Sequence, residues 1–93
     1  MTIGVLRVRL AVYESTSLKD KRRVIKSLKD RLRQHFNVAV AETGNLDSRQ
    51  AAELTAVVVA NESRFVNSSL QSIVNFVERQ SSAVLVDYEI EML

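Results

Sequence analysis

The sequence predicts a single α+β sandwich, and three observations predict it. Four stretches alternate apolar with other residues at a period of two, and two longer stretches repeat apolar residues at three- and four-residue intervals. The six stretches follow the order β-α-β-β-α-β. With 93 residues, the chain has room for one domain over 1–93 and one modest core.

Residues 3–13 are the first predicted strand, where Leu6, Val8, Leu10 and Val12 alternate with Arg7, Arg9, Ala11 and Tyr13. Residues 18–35 are the first helix, with Ser17 as N-cap and Asp20 three positions on, a capping-box variant. Its apolar positions Leu18, Val24, Ile25, Leu28 and Leu32 share one face. Residues 36–42 are the second strand, with Phe36, Val38 and Val40 opposed to Asn37, Ala39 and Ala41. Gly44, Asn45, Asp47 and Ser48 then supply a polar turn.

Residues 52–60 are the third strand, whose β-branched density suits a central position. Residues 62–80 are the second helix, with Val66, Leu70, Ile73, Val74 and Val77 as its stripe. Residues 83–91 are the fourth strand. Gly4 and Gly44 are the only glycines and proline is absent, which fits long elements with few special turns.

Two right-handed βαβ crossovers in this order give a ferredoxin-like βαββαβ sandwich, a four-stranded antiparallel sheet with both helices on one face. Leu6, Val8, Leu10, Val12, Leu54, Ala56, Val58, Val84, Val86, Tyr88 and Ile90 are expected to face the helices. The open face is expected to carry Val5, Arg7, Arg9, Ala11, Tyr13, Thr55, Val57, Val59, Leu85, Asp87 and Glu89. RNA-recognition domains of this shape stack bases on aromatics of the central strands. Here those positions hold Arg7, Arg9, Thr55, Val57 and Val59, so that mode is disfavoured. Val5, Val57, Val59 and Leu85 form an apolar strip of the kind that marks self-association, and they are the candidate dimer interface.

Composition excludes several classes. Apolar residues make up 46% and charged residues 26%, as in ordinary globular chains. No cysteine is present, so disulfides and thiolate metal sites are excluded. No run approaches a membrane span and no secretory signal is evident, so a cytoplasmic protein without membrane partners is expected. The net charge is only +2, but it is unevenly placed. Residues 17–35 hold eight basic and two acidic residues, giving +6, and the remainder sums to −4.

The basic residues of the first helix are ordered. Lys19, Arg22, Lys26, Lys29 and Arg33 follow at spacings of three and four, one narrow stripe about 21 Å long flanking the apolar face. Asp20 and Asp30 are expected outside it. Like charges so spaced destabilise a helix by a few tenths of a kcal/mol per pair. An RNA backbone would relieve that repulsion, and so would acids from elsewhere in the fold such as Glu62, Glu78 or the strand acids. Lys21 falls inside the apolar arc. A snorkelling stem with its ammonium at the sheet edge is the favoured expectation, with an ion pair to Glu14 or Glu42 as the other.

Catalytic signals are lacking. His35, at the end of the first helix, suits capping or packing. Ser17, Ser48 and Ser63 have no nearby base–acid pattern. Asp47, Glu53 and Glu62 lack metal-loop spacing, and no glycine-rich phosphate loop occurs. No catalytic residue, cofactor or metal is expected.

Ser17-Leu18-Lys19-Asp20-Lys21-Arg22 is similar to a Ser-Leu-Lys-x-Lys-Arg signature at the start of a first helix. Arg31 and then Phe36-Asn37-Val38-Ala39-Val40-Ala41-Glu42 are similar to a second block, and Gly4 and Glu89-Ile90-Glu91 match as well. Over residues 1–93 the chain resembles the YlxP-like family of short bacterial proteins of uncharacterised function. The resemblance implies a ferredoxin-like fold and marks Ser17, Leu18, Lys19, Lys21, Arg22, Arg31, Phe36, Asn37 and Glu42 as shared positions. It also implies association with ribosomes or RNA, since the family's genes often lie beside those for ribosome-binding factor A and initiation factors. After Asp47 many members carry a Trp-Gln-Arg turn, whereas this chain has Ser48-Arg49-Gln50-Ala51, so a function placed on that turn does not transfer. The expected function is a non-enzymatic RNA- or ribosome-associated module using the basic stripe, with ribosomal RNA as partner. The alternative is a homodimeric protein-interaction or small-ligand regulatory module.

Overall fold

In a computed structural model describing residues 1–93, the period-two segments form β1 (Thr2–Ala11), β2 (Ala39–Gly44), β3 (Ala51–Ala60) and β4 (Val84–Met92). The 3.6-period segments form α1 (Leu18–His35) and α2 (Ser63–Glu78). The strands lie in the order β2-β3-β1-β4, every neighbour antiparallel. This is the ferredoxin-like arrangement, with β1 and β3 central and β2 and β4 at the edges. No helix is long and apolar enough to cross a membrane.

The core lies between the sheet and the helices. Leu6, Val8 and Leu10 from β1, Val12 just beyond it, and Leu54, Ala56 and Val58 from β3 meet Ile25, Leu28 and Leu32 of α1 and Val66, Leu70, Ile73, Val74 and Val77 of α2. Gly4 sits in the same inward phase. A Cβ there would lie 2.5 Å from Val66 Cγ1 and 2.7 Å from Leu70 Cδ1, so its lack of a side chain lets α2 approach the sheet.

Two irregularities reset side-chain direction. Along β4, Arg9 faces Asp87 but Leu10 faces Leu85, so Val86 is an extra residue. The bulge reverses the strand's phase before it. Leu85 therefore packs against the core, while Val84, expected inside, is 48% exposed on the open face beside Ala11. Val86 is also exposed. Tyr88 keeps the inward phase opposite Val8, but on an edge strand it is only partly covered. In β2, Glu42 faces Leu54 whereas Gly44 faces Glu53, so the extra residue is Thr43. Glu42 shares the inward phase of Leu54 and points toward the helices, a point of consequence for Lys21.

Candidate nucleic-acid interface

α1 begins at a built cap. Ser17 Oγ accepts from the Asp20 amide at 3.1 Å, and the Asp20 carboxylate accepts from the Thr16 hydroxyl at 2.9 Å and its amide at 3.4 Å. These two Thr16 bonds, hydroxyl first, hold the Asp20 carboxyl below its ordinary pKa. At the other end, His35 donates from Nδ1 to the Arg31 carbonyl at 2.9 Å, and its ring lies 4.8 Å from that of Phe76. His35 thus acts in capping and packing.

Lys19, Arg22, Lys26, Lys29 and Arg33 follow one flank of α1, but they are not equivalent. The sequence places Asp30 outside the stripe, yet it lies about 40–60° around the helix from Lys26 and Arg33, within reach of both. Its carboxylate takes Lys26 at 2.9 Å and Arg33 at 3.4 Å. The Lys26 hydrogen bond, and then the charges of Lys26, Arg33 and Lys29, keep the Asp30 carboxyl below its ordinary value. Arg33 also donates to the Val40 carbonyl at 2.9 Å, tying the stripe to β2. Lys19, Arg22 and Lys29 have no carboxylate within 4.0 Å, and neither does Arg23 on the adjoining face.

Lys21 corrects the snorkelling expectation. It is wholly buried, and its ammonium donates to Glu42 Oε2 at 2.9 Å, the Asn45 carbonyl at 2.8 Å and the Ala51 carbonyl at 3.2 Å. All three donors are used. A snorkelling stem needs an exit to water, and the β2–β3 turn closes that exit. Asn45, with φ of 59°, adopts the left-handed conformation in this turn.

The shared-motif positions therefore gather at two ends of α1. Ser17, Leu18, Lys21 and Glu42 meet at its start, joined by the cap and the buried pair. Arg31, Phe36 and Asn37 lie toward its end, where Arg31 bonds Gln80 and Ser27 and the Phe36 ring meets Phe76 edge-on at 5.7 Å.

The open sheet face divides into two halves. On its β1–β4 side, Arg9 pairs with Asp87 at 3.0 Å, Glu89 at 3.1 Å and Glu53 at 3.5 Å, and Arg7 pairs with Glu91 at 3.4 Å. The bonds to Asp87 and Glu89 raise the Arg9 pKa further. Beyond Glu53, the β2–β3 side carries small or neutral residues: Ala39, Ala41, Thr55, Val57 and Val59. Of the four expected interface residues, Val5 faces Val57, and Val59 lies one pair further on. Leu85 is on the opposite face because of the β4 bulge.

The residue stripe did not reveal two cavities. One, of about 430 Å³, is lined by Ser15, Thr16, Ser48, Arg49 and Gln50 between the β1–α1 and β2–β3 loops. The other, of about 250 Å³, lies at the far end of α1. Each is assembled from segments distant in sequence, so neither left a local signal. No group of three or more His, Asp or Glu side chains is placed to hold a metal ion.

Comparison with known proteins supports the family resemblance. The chain is 29% identical over 76 residues to the uncharacterized protein YlxP of Bacillus subtilis (strain 168), covering 82% of this chain and 83% of that one. Residues 3–90 match the family described as protein of unknown function DUF503, and the chain belongs to that YlxP-like family.

Proposed function

We propose that the protein is a non-enzymatic binding module that docks the flank of α1 on structured RNA, with ribosomal RNA as the expected partner in the cytoplasm. One observation carries this reading. No acid from outside α1 reaches the stripe: Asp87, Glu89, Glu91 and Glu53 pair with Arg7 and Arg9, and Glu42 pairs with the buried Lys21. Glu62 and Glu78 make no ion pair. Lys19, Arg22 and Lys29 thus stand as the free members of the stripe. Lys26 and Arg33 can be recruited at the expense of a solvent-exposed pair worth little.

Such contacts give affinity without base readout. Binding of purified ribosomal subunits and total RNA across a salt series tests the reading. Three to five phosphate contacts predict a log–log slope of about −2 to −4.5. No binding at low salt overturns it.

Val57 and Val59 on the neutral half of the sheet favour a second reading, a homodimer through that face. A Val57→Asp change should then yield a monomer in sedimentation, and an unchanged dimer removes this face as the interface.

A further inference from the structure

The cleft at the C-terminal end of α1 combines features the basic stripe lacks. Its apolar surface comes from Val58 and Val59 of β3, Phe36 after α1, and Phe65 in the first turn of α2. Phe65 is 61% exposed and contributes nothing to the core cluster. Around this surface stand three polar groups that are free to bond a ligand. His35 uses Nδ1 on the Arg31 carbonyl, which leaves Nε2 as an acceptor on the neutral ring. The Asn37 carboxamide and the Ser69 hydroxyl make no side-chain hydrogen bond within the chain.

An apolar surface with a few convergent polar groups is the usual character of a ligand site. Its volume of about 250 Å³ lies below the ~300–1,000 Å³ of sites for larger ligands, so it suits a single ring system. Aromatic faces with free amide and imidazole groups match the way unstacked bases are held, by stacking and by edge hydrogen bonds. The cleft lies at the same end of α1 as Arg33, although Arg33 bonds Val40 of β2 on the opposite flank from His35, so an RNA strand following the stripe would reach the cleft by rounding that end.

We propose that this cleft receives one unstacked nucleobase of the RNA whose phosphates run along α1. Phe65 would supply the stacking face, and Asn37 and His35 would read the base edge. The proposal rests on the RNA reading but adds base selectivity to it, at a place that meets the open sheet face only at Val59.

The chain has no tryptophan, so Phe65→Trp introduces a single tryptophan at the cleft, excited selectively over Tyr13 and Tyr88 at the red edge of its absorption. Titration of this variant with uncharged nucleosides should quench its emission saturably. Nucleosides added to the wild-type protein should shift amide resonances of residues 35–37, 58–59, 65 and 69. A labelled oligoribonucleotide should bind about tenfold or more tighter than its abasic counterpart of equal charge, and Phe65→Ala should erase that difference. Nucleosides carry no phosphate, so their response should survive charge reversal at Lys19, Arg22 and Lys29. Survival of the nucleoside response without any stripe-dependent RNA binding would sink the stripe and keep the cleft. Absence of both quenching and resonance shifts, or equal affinity of intact and abasic strands, overturns the cleft.

Discussion

The two faces of α1 use the same residue type in opposite ways. On the inner face Lys21 is fully buried, with each donor on an acceptor and a carboxylate for its charge. On the outer flank Lys19 and Lys29 have no carboxylate partner, and Lys26 shares Asp30 with Arg33. A buried cation must be satisfied where it stands, because desolvation costs several kcal/mol. A solvated cation has no such requirement and keeps its charge for a partner. The inner lysine is therefore architectural and the outer ones are available.

The sharpest way to break this contrast is at Lys21. Lys21→Met leaves the largely buried Glu42 carboxylate and two carbonyls without their donor. It should cost about 3–5 kcal/mol in denaturant unfolding. Adding Glu42→Gln should recover part of the loss, with a coupling of about 0.5–3 kcal/mol. Reversing Lys19, Arg22 and Lys29 to Glu should do the opposite: unfolding is nearly unchanged, while the salt slope of RNA binding flattens by about 2–3. A folding defect in that variant would make the flank structural.

Asp30→Asn sharpens the contrast within the flank. It frees Lys26 and Arg33, so RNA binding should tighten and the slope steepen by about 1–2. Arg9→Ala should leave RNA affinity unchanged, because that guanidinium already answers three carboxylates on the opposite side of the molecule. The smallest effect is with acid. Asp20 and Asp30 have lowered pKa values in the folded state, so their contribution is present above the ordinary value near 3.8 and is lost as the pH falls through the lowered values. The helical signal in circular dichroism should therefore be flat from pH 5 to 8 and weaken only below about pH 4.

Periodicity made most of the fold legible. The bounds of α1 and its apolar face follow from residues 18–35, with Ser17 as a cap whose chemistry is local. The β4 bulge was not legible, because no glycine or proline marks Val86. Its existence depends on matching β4 to β1, and it exchanged the directions of Val84 and Leu85. The position of Lys21 in the apolar arc was readable, but its fate was not. Whether a lysine snorkels or is sealed in depends on the β2–β3 turn, which returns to cover it from residues 45–51. Asp30 shows the limit of a helical projection, since a small angular offset on the wheel is within reach of long side chains. The cleft draws its walls from three segments, 35–37, 58–59 and 65–69, beyond the range of any local pattern.

The buried pair also constrains how this sequence can drift. Losing Lys21 strands Glu42, and losing Glu42 strands Lys21, so each single replacement falls below both the pair and an apolar substitute for the two. The positions are 21 residues apart. An exchange between those two solutions must either cross that low point or pass through a chain with stability to spare. Lineages that keep one partner should therefore keep the other, and where the pair is absent both positions should have changed together.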